Sequence, residues 1–314
     1  MSRPLTKNRR KPWAIGALLA AALCACLVLA GCGSSGSQED SSNSQSASQE
    51  APKTSISILC DTQMEGPLSE LEQLYASEHD DVEFTLSSEQ TDKTLLKALS
   101  DNAKSVKSSG QDSQSTGADD ADSAISLVFG LSDSATKQAV KNKLLKRDSQ
   151  TDVVADSLVI VAGKNGKADS VTVNQLVSGK WLLALANGSS SLGKLQTQAL
   201  SALGACTPQG QFTGALAKSG KVKRQGMESQ VFAALSKSKR AVSVVKKSDV
   251  YRYGGVKIVG EIPANAYTAP RYSASATTAA SDDQASAAQD FLNWCVTDAD
   301  AIEIWEKWGF TLAA

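Results

Sequence analysis

The chain has 314 residues, with 32 Lys+Arg against 33 Asp+Glu, one histidine and six cysteines. A balance this close to neutral offers no basic surface of the kind nucleic acid demands. The lone histidine, His79 in "SEHDD", would have to serve any Ser-His-Asp triad, yet it follows a helical stretch among acids and reads as a solvated loop residue. No Gly-x-Ser-x-Gly elbow or Walker loop occurs, and no Cys-x-x-Cys pair. The sequence therefore predicts no catalytic residue, no metal centre and no cofactor.

In chain order, Arg3, Lys7, Arg9, Arg10 and Lys11 precede an apolar stretch from Ala14 to Ala30, the order of a secretory signal. The stretch stops at "LAGC", where small residues let a peptidase fit the backbone, and this resembles the lipobox of bacterial lipoproteins. In that family the cysteine receives a diacylglycerol and becomes residue one. The resemblance makes residues 1–31 a signal peptide and Cys32 the lipidated terminus, holding the protein on the extracytoplasmic face of the membrane. Residues 32–54, "CGSSGSQEDSSNSQSASQEAPKT", carry no large apolar side chain and read as a tether with a reach of roughly 25 Å. Losing the signal removes five of the 32 basic residues and none of the 33 acids, so the mature chain carries a net charge of −6. Cys60, Cys206 and Cys295 remain, an odd number that indicates no disulfide framework; each reads as a small buried hydrophobe, with any pairing left open.

Four times the sequence then repeats one unit: a short apolar run, a polar turn, and a helical stretch. "SISILC" with Leu68, Leu71, Leu74 and Tyr75 is the first, and "VEFTL" with Leu95, Leu96 and Leu99 the second. "AISLVFG" and "WLLALANGSSSLG" open the third and fourth. Strands alternating with helices predict an α/β fold, whose ligand crevice lies beyond the carboxyl ends of the strands. There Ser88, Ser132 and Ser189 to Ser191 stand as helix caps, each worth about 1 kcal/mol, or as donors to a ligand. The low-complexity run from Asp101 to Ala124 reads as a surface loop inserted in a domain.

The C-terminal third carries a more specific pattern: Ile262-Pro263, Pro270 with Tyr272, Ala288, Phe291-Leu292, Asp300-Ala301, Ile304 and Lys307-Trp308-Gly309-Phe310. It resembles the end of the periplasmic molybdate-binding proteins of ABC transporters and, more widely, the bilobal solute-binding proteins. "DSLVIVAGKNG" at 156–166 resembles that family's crossover strand, "SVVKKSDV" at 243–250 its return crossover, and "QALSALGA" a helix end in its second lobe. The resemblance implies a two-lobed periplasmic binding protein fold of type II, each lobe a mixed sheet flanked by helices. Lobe 1 would comprise 55–152 and 248–314, with the insert 101–124, and lobe 2 residues 153–247.

Carried over residue by residue, the family's ligand positions fall on Gln63, Ser88 and Glu89, Ser190 and Ser191, and Lys246. Gln63, Glu89 and Lys246 stand where the family has two serines and a tyrosine. A glutamate beside a dianion is repelled by several kcal/mol in a partly desolvated cleft, so these residues fit molybdate poorly. Lys246 could neutralise a carboxylate or replace the lost hydroxyl, which suits a zwitterionic or small polar solute. Nine Lys or Arg between 217 and 247 face the single acid Glu228 and give that stretch a local positive field. The expectation is a monomeric, membrane-anchored receptor that closes over a small polar or oxyanion solute and hands it to an ABC permease. The alternative is a surface lipoprotein that keeps the fold without a ligand site.

Overall fold

The computed structural model describes residues 53–109 and 124–313. The signal segment, Cys32, nearly all of the tether and residues 110–123 of the insert lie outside the described residues.

The chain opens with β1 (Thr54–Asp61), α1 (Glu65–Glu78), β2 (Val82–Glu89), α2 (Asp92–Ser109), β3 (Ile125–Phe129), α3 (Asp133–Lys141) and β4 (Thr151–Ala155). Thr54, placed in the tether by its composition, is the first residue of β1. From Ser55 to Cys60 every residue of β1 is buried, as expected of a central parallel strand covered on both faces. It pairs in parallel with β2, from Thr54 opposite Val82 to Asp61 opposite Glu89, and with β3, where Cys60 lies opposite Phe129. These registers bring Asp61, Glu89 and the end of β3 to one edge of the sheet. On one face Leu68, Leu71 and Tyr75 of α1 enter a core with Phe291, Trp305 and Phe310. On the other, Leu95 and Leu99 of α2 pack with Ala135 and Ala139 of α3.

The surface loop expected from Asp101 begins instead as the last turns of α2, which runs to Ser109. Leu95 and Leu99 anchor the helix, and Asp101 takes Lys97 at 2.7 Å and Lys104 at 3.4 Å at helical spacing, so a packed nucleus propagates through a polar stretch. The Asn102 side chain also accepts a hydrogen bond from the Ile125 N–H at 3.0 Å.

A second sheet follows. Its elements are β5 (Leu158–Gly163), α4 (Val173–Val177), β6 (Leu182–Leu185), α5 (Ser191–Ala202), α6 (Gly214–Ser219), β7 (Val222–Arg224), α7 (Glu228–Lys237), β8 (Ala241–Lys246), α8 (Lys247–Tyr253) and β9 (Val256–Glu261). The chain then returns through β10 (Arg271–Ala276), α9 (Asp282–Thr297), α10 (Ala299–Lys307) and β11 (Thr311–Leu312). The strand orders are β11-β4-β10-β3-β1-β2 in the first sheet and β7-β6-β8-β5-β9 in the second.

This order moves both lobe boundaries: the expected cut at 152/153 falls inside β4, which stays in the first sheet to Ala155. β9 pairs antiparallel with β5 in the second sheet, so the chain leaves that sheet after Glu261 rather than at 247/248. The segment "SVVKKSDV", expected as the return crossover, forms the inner strand β8 and the start of α8. The return runs from Ile262 to Pro270, where Pro263 and Pro270 lack the N–H a continuing ladder needs. The outward crossing, Asp156-Ser157, lies beside it: the Asp156 N–H donates to the Pro270 carbonyl at 2.9 Å, and the Leu158 N–H to the Tyr267 hydroxyl at 2.9 Å.

Candidate inter-lobe site

The loop between β1 and α1 carries Gln63 to the edge where the two lobes meet. Its carboxamide has two acceptor and two donor positions, and all four are used. The oxygen accepts from Lys246 Nζ at 2.6 Å and from the Tyr272 hydroxyl at 2.8 Å. The nitrogen donates to Asp249 Oδ1 at 2.9 Å and to Ser248 Oγ at 3.2 Å. Lys246 ends β8, Ser248 and Asp249 lie in the first turn of α8, and Tyr272 stands on β10, so one side chain ties the second sheet to two strands of the first.

Beneath it lies a buried charge cluster. The Ser248 hydroxyl donates to Asp156 Oδ2 at 2.5 Å, and the Ser157 N–H donates to Asp156 Oδ1 at 2.7 Å. Lys246 Nζ lies 3.8 Å from Glu228 and 3.9 Å from Asp249 Oδ2. Asp249 is fully buried, and its Oδ2 has no hydrogen-bond partner among the described residues. Burial drives the Asp249 carboxyl above the ordinary carboxylate range, Lys246 opposing and Glu228 and Asp156 reinforcing. Burial also raises Asp156, with the Ser248 hydroxyl pulling the other way, and raises Asp61 against the N–H of Gln63. Tyr272 is held well above its usual range by burial, with Asp156 and Asp249 adding to it.

The positions singled out in the sequence separate into two groups. Gln63 and Lys246 meet directly. Ser88 caps no helix: it is the last residue but one of β2, and its hydroxyl donates to Glu65 at 2.9 Å. Glu89 ends β2 half-buried, its carbonyl accepts from the Thr62 N–H at 3.1 Å, and its side-chain charge acts on Lys97 of α2. Lys246 therefore compensates Glu228 and Asp249 rather than Glu89. Ser190 caps α5, accepting from the Gly193 N–H at 3.0 Å, and Ser191 is exposed on its first turn. Ser132 caps α3 in the same way. Sequence reasoning missed Asp156, Glu228, Ser248, Asp249 and Tyr272 as site residues. Asp156 and Asp249 lay inside the two stretches expected as crossovers, each acid just past or just before a wholly buried strand.

His79 stacks on Tyr75 with ring centroids 4.0 Å apart. Cys60, Cys206 and Cys295 are free and buried. Among the described residues no helix is long and apolar enough to cross a membrane.

Solved structures share this architecture at low identity. The substrate binding domain assigned to a molybdenum ABC transporter of Clostridium difficile is 18% identical, covers 83% of this chain and 99% of its own, and superposes with a TM-score of 0.63. The periplasmic molybdate-binding protein of Azotobacter vinelandii is 16% identical over 82% of this chain and 100% of its own, with a TM-score of 0.55. Peb3 from Campylobacter jejuni is 13% identical over 82% and 99%, with a TM-score of 0.55. The fold is thus that of the type II periplasmic binding proteins, two mixed sheets flanked by helices. No curated protein is matched by sequence. The model for bacterial extracellular solute-binding proteins matches residues 56–311, which spans both sheets and both crossings, and the chain belongs to that family of ABC-type solute-binding proteins.

Proposed function

We propose that this protein is a receptor whose lobes close over a small solute bearing an amine, zwitterionic or cationic, and that it delivers this solute to an ABC permease. The observation that carries the reading is Asp249, wholly buried between the lobes with one oxygen unpartnered and Lys246 nearby. Asp156, Glu228 and Asp249 surround Lys246, so a dianion entering here meets net repulsion of several kcal/mol at short range. Molybdate, named for the Azotobacter protein, is a poor match to that charge. An amine finds Asp249, while Lys246 and Tyr272, released from Gln63, are donors for a carboxylate. Cys32 would anchor the receptor, as a monomer, to the extracytoplasmic face of the membrane through its lipid.

Thermal unfolding of the full-length protein tests the ligand class, because a solute that binds only the folded state stabilises it, by about 2.7 kcal/mol at a hundredfold excess over Kd. A rise in Tm with amino acids or amines, lost in Asp249→Asn, is the expected result. A rise with molybdate, tungstate, sulfate or phosphate instead would overturn it. The anchor is checked by fractionation: Cys32→Ala should leave the membrane pellet.

A second reading has its own observation. Gln63 bonds Lys246 Nζ, Ser248 Oγ, Asp249 Oδ1 and the Tyr272 hydroxyl at once, as the filler of a site that had lost its ligand would also do. Silence across the whole panel, with the fold intact, would favour that surface lipoprotein.

A further inference from the structure

A cavity of about 730 Å³ opens on the second lobe, bounded by one face of α5, the turn 208–210 and the end of β7. None of its lining residues belongs to the Gln63 network, so it is a separate place in the molecule. Its volume falls in the range of small-molecule sites, roughly 300–1,000 Å³. Lys194 and Arg224 line it, and among the described residues no carboxylate does. Among the described residues neither cation forms an ion pair. In a chain with more acids than bases after Cys32, two uncompensated cations in one concavity stand out electrostatically.

Arg224 is held in place. Its Nη1 donates to the Ala186 carbonyl at 3.0 Å, and its guanidinium carbon lies 5.5 Å from the centre of the Phe212 ring. A guanidinium has five N–H donors in a fixed fork, and these contacts orient it while using one of them. Glycines keep the fork uncrowded. A Cβ on Gly210 would lie 3.3 Å from Nη2, and one on Gly188 3.5 Å from Nη1; Gly210 also has φ +82, which disfavours any side chain there. Along α5, Lys194, Thr197 and Ser201 follow at helical spacing and share one face of the cavity. The Thr197 hydroxyl already donates to the Gly193 carbonyl at 2.8 Å, so towards a ligand its oxygen is an acceptor.

We propose that this cavity is a second binding site, selective for a small organic oxyanion with a hydroxylated body, such as a sugar phosphate or a hydroxy-carboxylate. The anionic end meets the fork of Arg224 and the Lys194 ammonium, which recognise carboxylate and phosphate alike. Ligand hydroxyls donate to Thr197. The proposal does not depend on the solute held between the lobes.

Titration calorimetry of the full-length protein with glucose 6-phosphate, citrate and inorganic phosphate tests it. The expected result is saturable binding of glucose 6-phosphate or citrate, weakened about tenfold or more by Arg224→Gln and by Lys194→Gln, the scale of one lost charge-assisted contact. Lys246→Met, at the inter-lobe site, should leave that affinity unchanged. If Arg224→Gln does not fold, the exposed Lys194 carries the comparison. Binding of no probe, or binding that survives both substitutions, overturns the proposal. Loss in Lys246→Met alone would move the anion to the inter-lobe site, and inorganic phosphate binding as tightly as the organic probes would remove the role of α5. Should only a glutamate-rich peptide bind, the surface receives a protein segment instead, and the proposal also falls.

Discussion

At the scale of single residues, the first lobe contains a charge with no evident partner. Glu72 on α1 is buried, and its Oε1 has no hydrogen bond among the described residues. Burial raises its carboxyl from 4.5 to about 7, and the same charge helps push up the thiols of Cys60 and Cys295. Because the folded state holds the proton more tightly than the unfolded chain, the contribution to stability is complete below about pH 4.5 and is lost as pH rises to about 7. Wild-type protein should therefore weaken over that window more steeply than Glu72→Gln. The difference between them should grow by roughly 2–3 kcal/mol, since each tenfold gain in proton affinity is worth about 1.4 kcal/mol. Denaturant titrations of both proteins at pH 4.5, 6 and 7.5 check this. Parallel curves would mean that water reaches Glu72 and relieves its burial. Asp249 and Asp156 move in the same direction, so the reading is the difference between the proteins and not the wild-type slope. None of this was legible in the sequence: "LSELEQLY" offers Glu72 one position after the core residue Leu71, and it is tertiary packing, which brings Cys295 of α9 within reach of its charge, that buries the carboxyl.

At the scale of elements, most of the fold could be read, because period and composition are local properties. Buried runs such as Leu158–Gly163 became inner strands, and serines before helical stretches became caps at Ser132 and Ser190. Other elements escaped, among them the end of α2 and β9. The end of α2 is held by tertiary anchoring of an otherwise polar stretch, and β9 has an alternation too weak to assign to either sheet without its partner β5. The start of α5 offers a test of how such turns are built. Ser190 donates to the Asn187 carbonyl at 2.8 Å while accepting from the Gly193 N–H, and a Cβ on Gly193 would lie 1.8 Å from that same carbonyl oxygen. Ser190→Ala removes one cap and should cost about 1 kcal/mol. Gly193→Ala drives a methyl group into backbone that is already fixed, so it should cost clearly more, and thermal unfolding of the two variants should rank them in that order. The opposite ranking would show that the Asn187–Ser190 turn yields easily.

At the scale of the whole molecule, the question is what holds the lobes together, and this was the least legible part. Gln63, Asp156, Lys246, Asp249 and Tyr272 lie up to 209 positions apart in the chain, as Gln63 and Tyr272 do. A family resemblance could align Gln63 and Lys246 with ligand positions, but it could not show that they would bond each other. That bond makes Gln63 the centre of the junction. Replacing it with alanine leaves Lys246 Nζ, Asp249 Oδ1 and the Tyr272 hydroxyl without that partner, each costing about 1–3 kcal/mol while it stays dry. Within either lobe the change removes no member of an apolar cluster, since the carboxamide's partners are polar groups, Lys246, Ser248 and Asp249 from the second lobe and the Tyr272 hydroxyl from its own. The cheaper relief is for the lobes to part and admit water, with rotation taken up at Asp156-Ser157 and Ile262–Pro270. Gln63→Ala should thus show a larger radius of gyration than wild type in solution scattering, with nearly unchanged far-ultraviolet circular dichroism. Adding the solute that fills the junction should reverse the expansion, because its own polar groups then satisfy Lys246 and Asp249. A radius of gyration identical to wild type, with both lobes folded, would mean that apolar contacts around α8 and the Trp308-Gly309-Phe310 corner hold the lobes, and that Gln63 merely fills a space between them.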